Sequence, residues 1–103
     1  MRIVATREFL ADRPWGSALL ADFGDVAARV HSTDQPYRWH RNTGPELFLV
    51  VDGVVDMHVR RDGAEQVIRL GAGDAAAFDE GDEHVAHPVG LARILVVERK
   101  DSE

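Results

Sequence analysis

The sequence contains no cysteine. Disulfides, thiolate metal sites and a cysteine nucleophile are therefore all excluded. The chain also lacks an apolar run that approaches the roughly 20 residues of a membrane-spanning helix, and its first residues contain no long apolar stretch of the kind found in signal peptides. We therefore expect no membrane association and a cytoplasmic location.

A concentrated positive surface is missing as well. The 12 basic residues are outnumbered by 18 acidic ones, and the formal net charge is −6. The basic residues are scattered along the chain, whereas nucleic-acid binding needs them gathered so that they can replace counterions. We therefore expect no nucleic-acid partner, and we interpret the acidic stretch at 79–84 as a solvated loop.

Several common catalytic motifs are absent too. There is no Gly-x-Ser-x-Gly elbow and no phosphate-binding P-loop. The glycine-rich stretch at 71–74 lacks the full dinucleotide fingerprint and leads into a strand-like run, so it is interpreted as a turn. No linker or repeat divides the 103 residues, and we predict one domain over 1–103.

What the sequence does contain is a series of short apolar runs of strand length, separated by Gly, Pro, Asp and Asn. Runs at such regular spacing, with no helical period between them, predict an all-β antiparallel sandwich or barrel. A short helix is expected near the N-terminus, with Thr6 as its N-cap and with Phe9 and Leu10 docked on the body. The predicted strands are SALLADF, VAARVHS, YRWHR, ELFLVV, VVDMHVR, EQVIRL, DAAAF, EHVAH and ARILVVER.

Two Asp-Gly dipeptides, Asp52-Gly53 and Asp62-Gly63, are strong signals for tight hairpins. The run between them alternates, which predicts a half-buried strand with His58 on its solvent-exposed face and not a ligand. The buried face of this strand is expected to carry Val55, Met57 and Val59.

Parity also orders the residues around the Thr-Gly-Pro turn. In an extended chain, residues two apart share a face, so Arg38, His40 and Asn42 face the same way. Beyond the turn, both faces of 46–51 are apolar, which predicts a strand buried on both sides. One side would face the barrel interior. The other would be a second packing surface, most simply the interface of a homodimer.

Two motifs in this order resemble those of the cupins. In the first motif, residues of metal-ligand type precede a glycine at the spacing typical of that family. Its members are His40, Asn42, Glu46 and Gly53. The second keeps the family's Gly-x-x-His spacing but has aspartate in place of its proline, and its members are Gly73, Asp79, Gly81 and His84. The resemblance covers about residues 17–99.

The resemblance implies a jelly-roll barrel (a double-stranded β-helix), often homodimeric, with a divalent metal in its mouth. It implies His40, Glu46 and His84 as ligands, and it places Asn42 where the family has a second histidine. Two histidines and a carboxylate are the ligand set of non-haem iron sites, and an amide oxygen is a weaker, harder donor. Asn42 is thus either a weak fourth ligand or a substrate-binding residue beside a water. The metal would be Fe, Mn, Ni or Zn; alternatively, the site has lost its metal.

Five further residues are candidates for binding a substrate. Arg38 shares the face of His40 and could grip a carboxylate or phosphate, or else reach solvent or an acidic neighbour. His87 lies on the opposite face from His84 if the segment is a strand; in a loop it could replace the missing histidine or act as a base. His31 has no metal-like neighbour in the sequence and is interpreted as an ordinary strand residue, not as a candidate. The apolar candidates, which are core residues by default, are Phe48, Met57 and Phe78.

Three functions remain open on this evidence. The first is a metal-dependent enzyme of dioxygenase or isomerase type, acting on a small organic molecule. The second is a binding or sensing module that uses the same barrel, with or without metal. The third is a metal-free scaffold that serves dimerisation. A small barrel of this kind has room for one small ligand.

Overall fold

The computed structural model describes residues 1–102, which form nine β-strands and one turn of 3-10 helix at Thr6–Glu8. Each predicted run contains one strand or overlaps with it, so the all-β prediction is confirmed. No helix among these residues is long and apolar enough to cross a membrane. The strands are β1 (Gly16–Asp22), β2 (Val26–Thr33), β3 (His40–Arg41), β4 (Glu46–Asp52), β5 (Val55–Arg61), β6 (Ala64–Leu70), β7 (Ala75–Phe78), β8 (Glu83–Pro88) and β9 (Ala92–Arg99).

The strands form two antiparallel sheets. One has the order β1-β2-β9-β4-β7 and the other β3-β8-β5-β6. Neighbours in the sheets are mostly distant in sequence, as in a jelly roll, and the predicted jelly-roll fold is confirmed. The core lies between the inward faces of the two sheets. Its most buried members include Val50, Val55, Met57 and Ile94.

The alternation predicted for β5 is present. Val55, Met57 and Val59 are buried in the core, and the residues between them are half-buried on the outer face. His58 belongs to that outer face, where its Nδ1 lies 3.4 Å from Glu65 Oε1. It is therefore not among the residues that face the barrel interior.

Only one of the two Asp-Gly turns is a hairpin. Asp62-Gly63 joins the paired strands β5 and β6, and both residues have the positive φ (51° and 75°) that a tight hairpin turn requires. The prediction for Asp52-Gly53 is wrong, because β4 pairs with β7 and β9 while β5 pairs with β6 and β8. This turn carries the chain from one sheet to the other.

The N-terminal helix is shorter than a regular α-helix and is capped differently from the prediction. Ala5 occupies the N-cap position, and no side chain caps the turn. Phe9 is half-buried, and its carbonyl accepts a 2.7 Å hydrogen bond from Arg93 Nε of β9. Leu10 is 67% exposed, so its predicted docking is wrong. The segment is held to the sheet by polar contacts to its backbone.

Strand β4 has one fully buried face. Glu46, Phe48 and Val50 point into the sandwich, whereas Leu47 on the other face is 39% exposed. The rest of that outer face is half-buried. Burial on both sides, as predicted for β4, is therefore incomplete within one chain.

Candidate metal centre

Three ligand-type side chains meet where the two sheets face each other. His40 on β3 lies directly opposite His84 on β8, and their ring centroids are 4.2 Å apart. Glu46, the first residue of β4, reaches them from the other sheet. One ligand atom from each of the three lies within 4.8 Å of those of the other two. The structure thus brings together three of the four predicted ligands.

The imidazole of His40 is held in the tautomer that suits a metal ligand. Its Nδ1 lies 3.1 Å from the carbonyl oxygen of Arg38. Because a carbonyl can only accept a hydrogen bond, Nδ1 carries the proton and Nε2 keeps its lone pair. Burial lowers the pKa of His40, with the backbone hydrogen bond to Arg38 opposing it. The neutral ring is the metal-binding form.

His84 is buried, and its surroundings fix its ring plane. Phe78 stacks on it at a centroid distance of 3.8 Å and an angle of 5°. Its Nε2 lies 3.4 Å from Glu46 Oε1, yet neither ring nitrogen has a hydrogen-bond partner among the described residues. An unpaired buried polar atom costs about 1–3 kcal/mol. A metal ion bound at Nε2 would offset part of that cost.

Asn42 contacts the carboxylate of Glu46. Its Nδ2 donates a 2.8 Å hydrogen bond to Glu46 Oε1, and its side chain is buried. The backbone of Asn42 is fixed in turn, since its N–H donates to the Asp82 carbonyl and its own carbonyl accepts from the Gly81 N–H, both at 2.8 Å. In this arrangement the amide orients Glu46, and its Oδ1 is buried without a hydrogen-bond partner among the described residues.

The donor set fits a divalent transition metal. Two neutral imidazoles and one carboxylate are suited to first-row ions, and three ligands leave coordination positions open. The unpaired nitrogens of the buried His84 point to the same conclusion. The described residues of the cluster therefore fit the ion that the sequence motifs imply.

A cavity of about 140 Å³ adjoins the cluster. Its walls are mostly apolar and aromatic, with a few polar groups, which is the usual composition of a small-molecule site. Three rings meet edge to face along one wall. The ring centroids of Trp15 and Tyr37 are 5.3 Å apart, and those of Tyr37 and His40 are 5.5 Å apart. The lining residues are Trp15, His31, Tyr37, His40, Glu46, Phe48, His84, Ala86, Val96 and Glu98.

Trp15 holds its place in that wall with a strained backbone. Its φ is +61°, which is uncommon for a residue with a side chain and costs about 1–3 kcal/mol. Three hydrogen bonds fix it: its N–H donates to the Ser32 carbonyl at 3.0 Å, its Nε1 donates to the Gln35 carbonyl at 2.8 Å, and its own carbonyl accepts from His31 Nδ1 at 3.0 Å. Such over-determined strain is concentrated at binding sites.

Glu98 is a cavity residue that sequence reasoning missed. It pairs directly with Glu46 in the register of β9 and β4, so both carboxyls face the cavity. Burial, and then the charge of Glu46, raise the pKa of Glu98 to about 7. A signal was available in the sequence, because Glu98 shares the parity of the apolar residues Ile94 and Val96 on β9.

His31 was also missed. It was interpreted as an ordinary strand residue, and the structure places it half-buried in the cavity wall. Burial lowers its pKa, with the hydrogen bond to the Trp15 carbonyl opposing this. Its ring is therefore a neutral polar group of the cavity.

The predicted substrate-binding residues occupy four different places. Phe48 lines the cavity, whereas Met57 is buried and lines, together with Phe78, a separate cavity of about 280 Å³. Arg38 is exposed, with its guanidinium 5.1 Å from the ring centroid of Tyr37. His87 lies on the outer face of β8, its ring 4.1 Å from that of His58. Since 83–88 is a strand, the alternative in which His87 replaces the missing histidine is wrong.

The sequence and the fold were compared with known proteins. Residues 29–98 match the model of a family described as "Cupin domain". No curated protein sequence matches the chain. A cupin-2 domain containing protein from Shewanella frigidimarina is 23% identical, with 87% of this chain and 85% of that chain covered and a TM-score of 0.76.

Two further solved structures share the fold. A cupin superfamily protein from Desulfitobacterium hafniense is 18% identical, with 97% of this chain and 92% of that chain covered and a TM-score of 0.78. A structure described as Fe(II)-HppE with an alternative substrate is 15% identical, with 80% of this chain and 48% of that chain covered and a TM-score of 0.68. At these identities the likeness extends to the fold alone.

Proposed function

The chain belongs to the cupin family, and from that premise we propose that it binds a divalent transition-metal ion through His40, Glu46 and His84, and a small organic molecule in the adjoining cavity. The observation that carries the proposal is the convergence of three ligand atoms within 4.8 Å, contributed by both sheets. Iron is the first ion to test, since a protein of the same fold is described with Fe(II). Manganese, nickel and zinc follow.

The chain's own residues would prepare this site before an ion arrives. The Arg38 carbonyl fixes the tautomer of His40, and Asn42 orients the carboxylate of Glu46. Ligands held in this way by outer hydrogen bonds bind metal more tightly. When bound, the ion would supply a Lewis acid next to the cavity. The same arrangement would serve an enzyme of dioxygenase or isomerase type.

A metal-free binding barrel is the second candidate, and one observation favours it. The Asn42 amide already donates to Glu46 Oε1, so that the carboxylate has a partner without an ion. In this case the cavity would bind an organic ligand directly. The two candidates differ in metal content and in whether ligand binding requires the ion.

The test is metal content by inductively coupled plasma mass spectrometry on tag-free protein. We expect near-stoichiometric metal in the wild type, its loss in His84→Ala, and its retention in His87→Ala. The two histidines lie on opposite faces of one strand, so the second variant controls for removing an imidazole from β8. A metal-free wild type whose melting temperature no divalent ion raises would refute the metal centre.

We also propose that the chain forms a homodimer through the outer face of β4. The apolar, incompletely buried Leu47 and Val97, which are register partners on β4 and β9, support this. Leu47→Lys should shift the mass in multi-angle light scattering to that of a monomer. Leu91→Lys, a substitution at a similarly exposed leucine elsewhere, should not. Equal masses for both variants and the wild type would contradict the interface.

The cytoplasmic location stays a prediction, which fractionation would test.

A further inference from the structure

One carboxyl oxygen of Glu98 lies in the cavity region without a hydrogen-bond partner within residues 1–102. Glu98 Oε2 is buried and has no hydrogen-bond partner among the described residues. The side chain faces the cavity next to Glu46 but lies outside the three-ligand cluster. A buried carboxyl oxygen without a partner is costly, and a ligand that supplies a donor would offset this cost.

No lysine or arginine of residues 1–102 bonds to the buried Oε2 of Glu98. Among the described residues that line the cavity there is no lysine or arginine. Glu98 and His31 also line a second cavity, of about 80 Å³, whose walls include Arg29, Arg99 and Lys100. These three side chains contact other groups: Arg29 contacts Ser17 Oγ at 3.4 Å, Arg99 contacts Asp101 at 3.3 Å and Lys100 contacts Asp22 at 2.7 Å. Two carboxyls therefore share the cavity beside the metal cluster, and the part of its walls that the structure describes contains no positive side chain that pairs with them.

His31 adds a second acceptor to the same region. Its Nδ1 must carry the proton, because it bonds the Trp15 carbonyl. The other ring nitrogen, Nε2, is then a lone-pair acceptor. Glu98 and His31 together favour a group that carries several N–H donors, as an ammonium does.

The volume of the cavity limits the size of the ligand. An apolar cavity of about 150 Å³ holds a molecule such as benzene. At about 140 Å³, this cavity holds a body of about six or seven non-hydrogen atoms. A longer molecule would have to extend through the mouth.

We propose that Glu98 and His31 form a subsite for the ammonium group of a short molecule whose other end, an oxygen donor, reaches the His40–Glu46–His84 cluster. The ligand class is thus small ω-amino acids and amino alcohols. The oxygen end of this inference rests on the proposed metal centre. The ammonium end rests on the unpartnered Oε2 of Glu98, on His31, and on the absence of lysine and arginine from the described walls of the cavity of about 140 Å³.

Isothermal titration calorimetry on the metal-loaded protein tests the subsite. The probes are γ-aminobutyrate, butyrate, which lacks the amine, and butylamine, which lacks the oxygen donor. They are titrated into the wild type, Glu98→Gln, and Glu80→Gln as an exposed acidic control. Metal content and melting temperature are measured on the same samples.

We expect γ-aminobutyrate to bind the wild type and the control at least about tenfold more tightly than butyrate, the effect of one charged hydrogen bond. Glu98→Gln should abolish that preference and leave butyrate binding unchanged. Equal binding of the two acids by metal-loaded wild type, or a preference that survives in Glu98→Gln, would overturn the subsite alone. If the protein retains no added metal, yet the wild type binds butylamine and Glu98→Gln does not, the subsite is supported and the metal centre is refuted.

Discussion

Replacing Glu98 by glutamine in the metal-free protein should flatten the dependence of stability on pH. Glu98 is half-buried and faces Glu46 across neighbouring strands. Burial and the charge of Glu46 raise its pKa from 4.5 to about 7 in the folded chain. The unfolded chain lacks both effects, so the two states bind protons differently between these values.

The sign and the size of the effect follow from that difference. Between pH 4.5 and about 7 the folded protein holds a proton that the unfolded chain has lost. The free energy of unfolding therefore falls as pH rises through this window, and the loss is complete above pH 7. The pKa change corresponds to roughly 3 kcal/mol, which solvent screening of a half-buried group reduces to about 1–2 kcal/mol.

Urea unfolding of chelator-treated protein at pH 4.5, 6 and 8 measures this. The free energy of unfolding of Glu98→Gln, relative to that of the wild type, should rise by about 1–2 kcal/mol between pH 4.5 and pH 8. Glu80→Gln, at an exposed position, should follow the wild type. Parallel curves for wild type and Glu98→Gln would show that Glu98 titrates alike in the folded and unfolded chains, and would refute the reasoning.

Three other substitutions test the site and the turns. Asn42→Leu removes the donor to Glu46, and competitive metal titration should show affinity lowered about 10–100-fold; an unchanged affinity would mean that the amide does not orient the carboxylate. Gly53→Ala would place a Cβ 2.5 Å from the Leu91 carbonyl oxygen at φ +87°, whereas Gly63→Ala at φ +75° meets nothing within 4 Å. Urea unfolding should show a loss of about 1–2 kcal/mol for Gly63→Ala and a further 1–3 kcal/mol for Gly53→Ala; equal losses would contradict the contact.

The metal cluster was predictable because its members lie in two short motifs. His40 and Glu46 flank one turn, and His84 follows the loop that leads into β8. Strand parity then placed His84 inward and His87 outward, as the structure has them. The resemblance of these motifs to those of the cupins carried this prediction, and a motif match does not require knowledge of which strands pair.

The rest of the site depends on strand pairing, which local patterns do not specify. Glu98 enters the cavity because β9 lies beside β4, and Trp15 enters it through hydrogen bonds to residues of the β2 region. The Asp52-Gly53 dipeptide shows the same limit. It marks a turn, but the partners of the strands on either side, β7 and β9 for β4, and β6 and β8 for β5, are not specified by the dipeptide.

Both proposals about the cavity have one physical origin. Glu46 and Glu98 face a cavity that no lysine or arginine of the described chain lines, so the folded protein keeps two acidic groups without a cationic partner of its own. A metal ion bound at His40 and His84 would offset one of these charges, and the ammonium group of the proposed ligand would offset the other. Each added cation lowers the free-energy cost of burying the remaining carboxylate. The ion and the ligand should therefore favour each other's binding, provided that the oxygen end of the ligand neutralises the excess charge of the ion. If both proposals hold, we expect the metal-loaded cavity to bind zwitterionic ligands more tightly than simple cations.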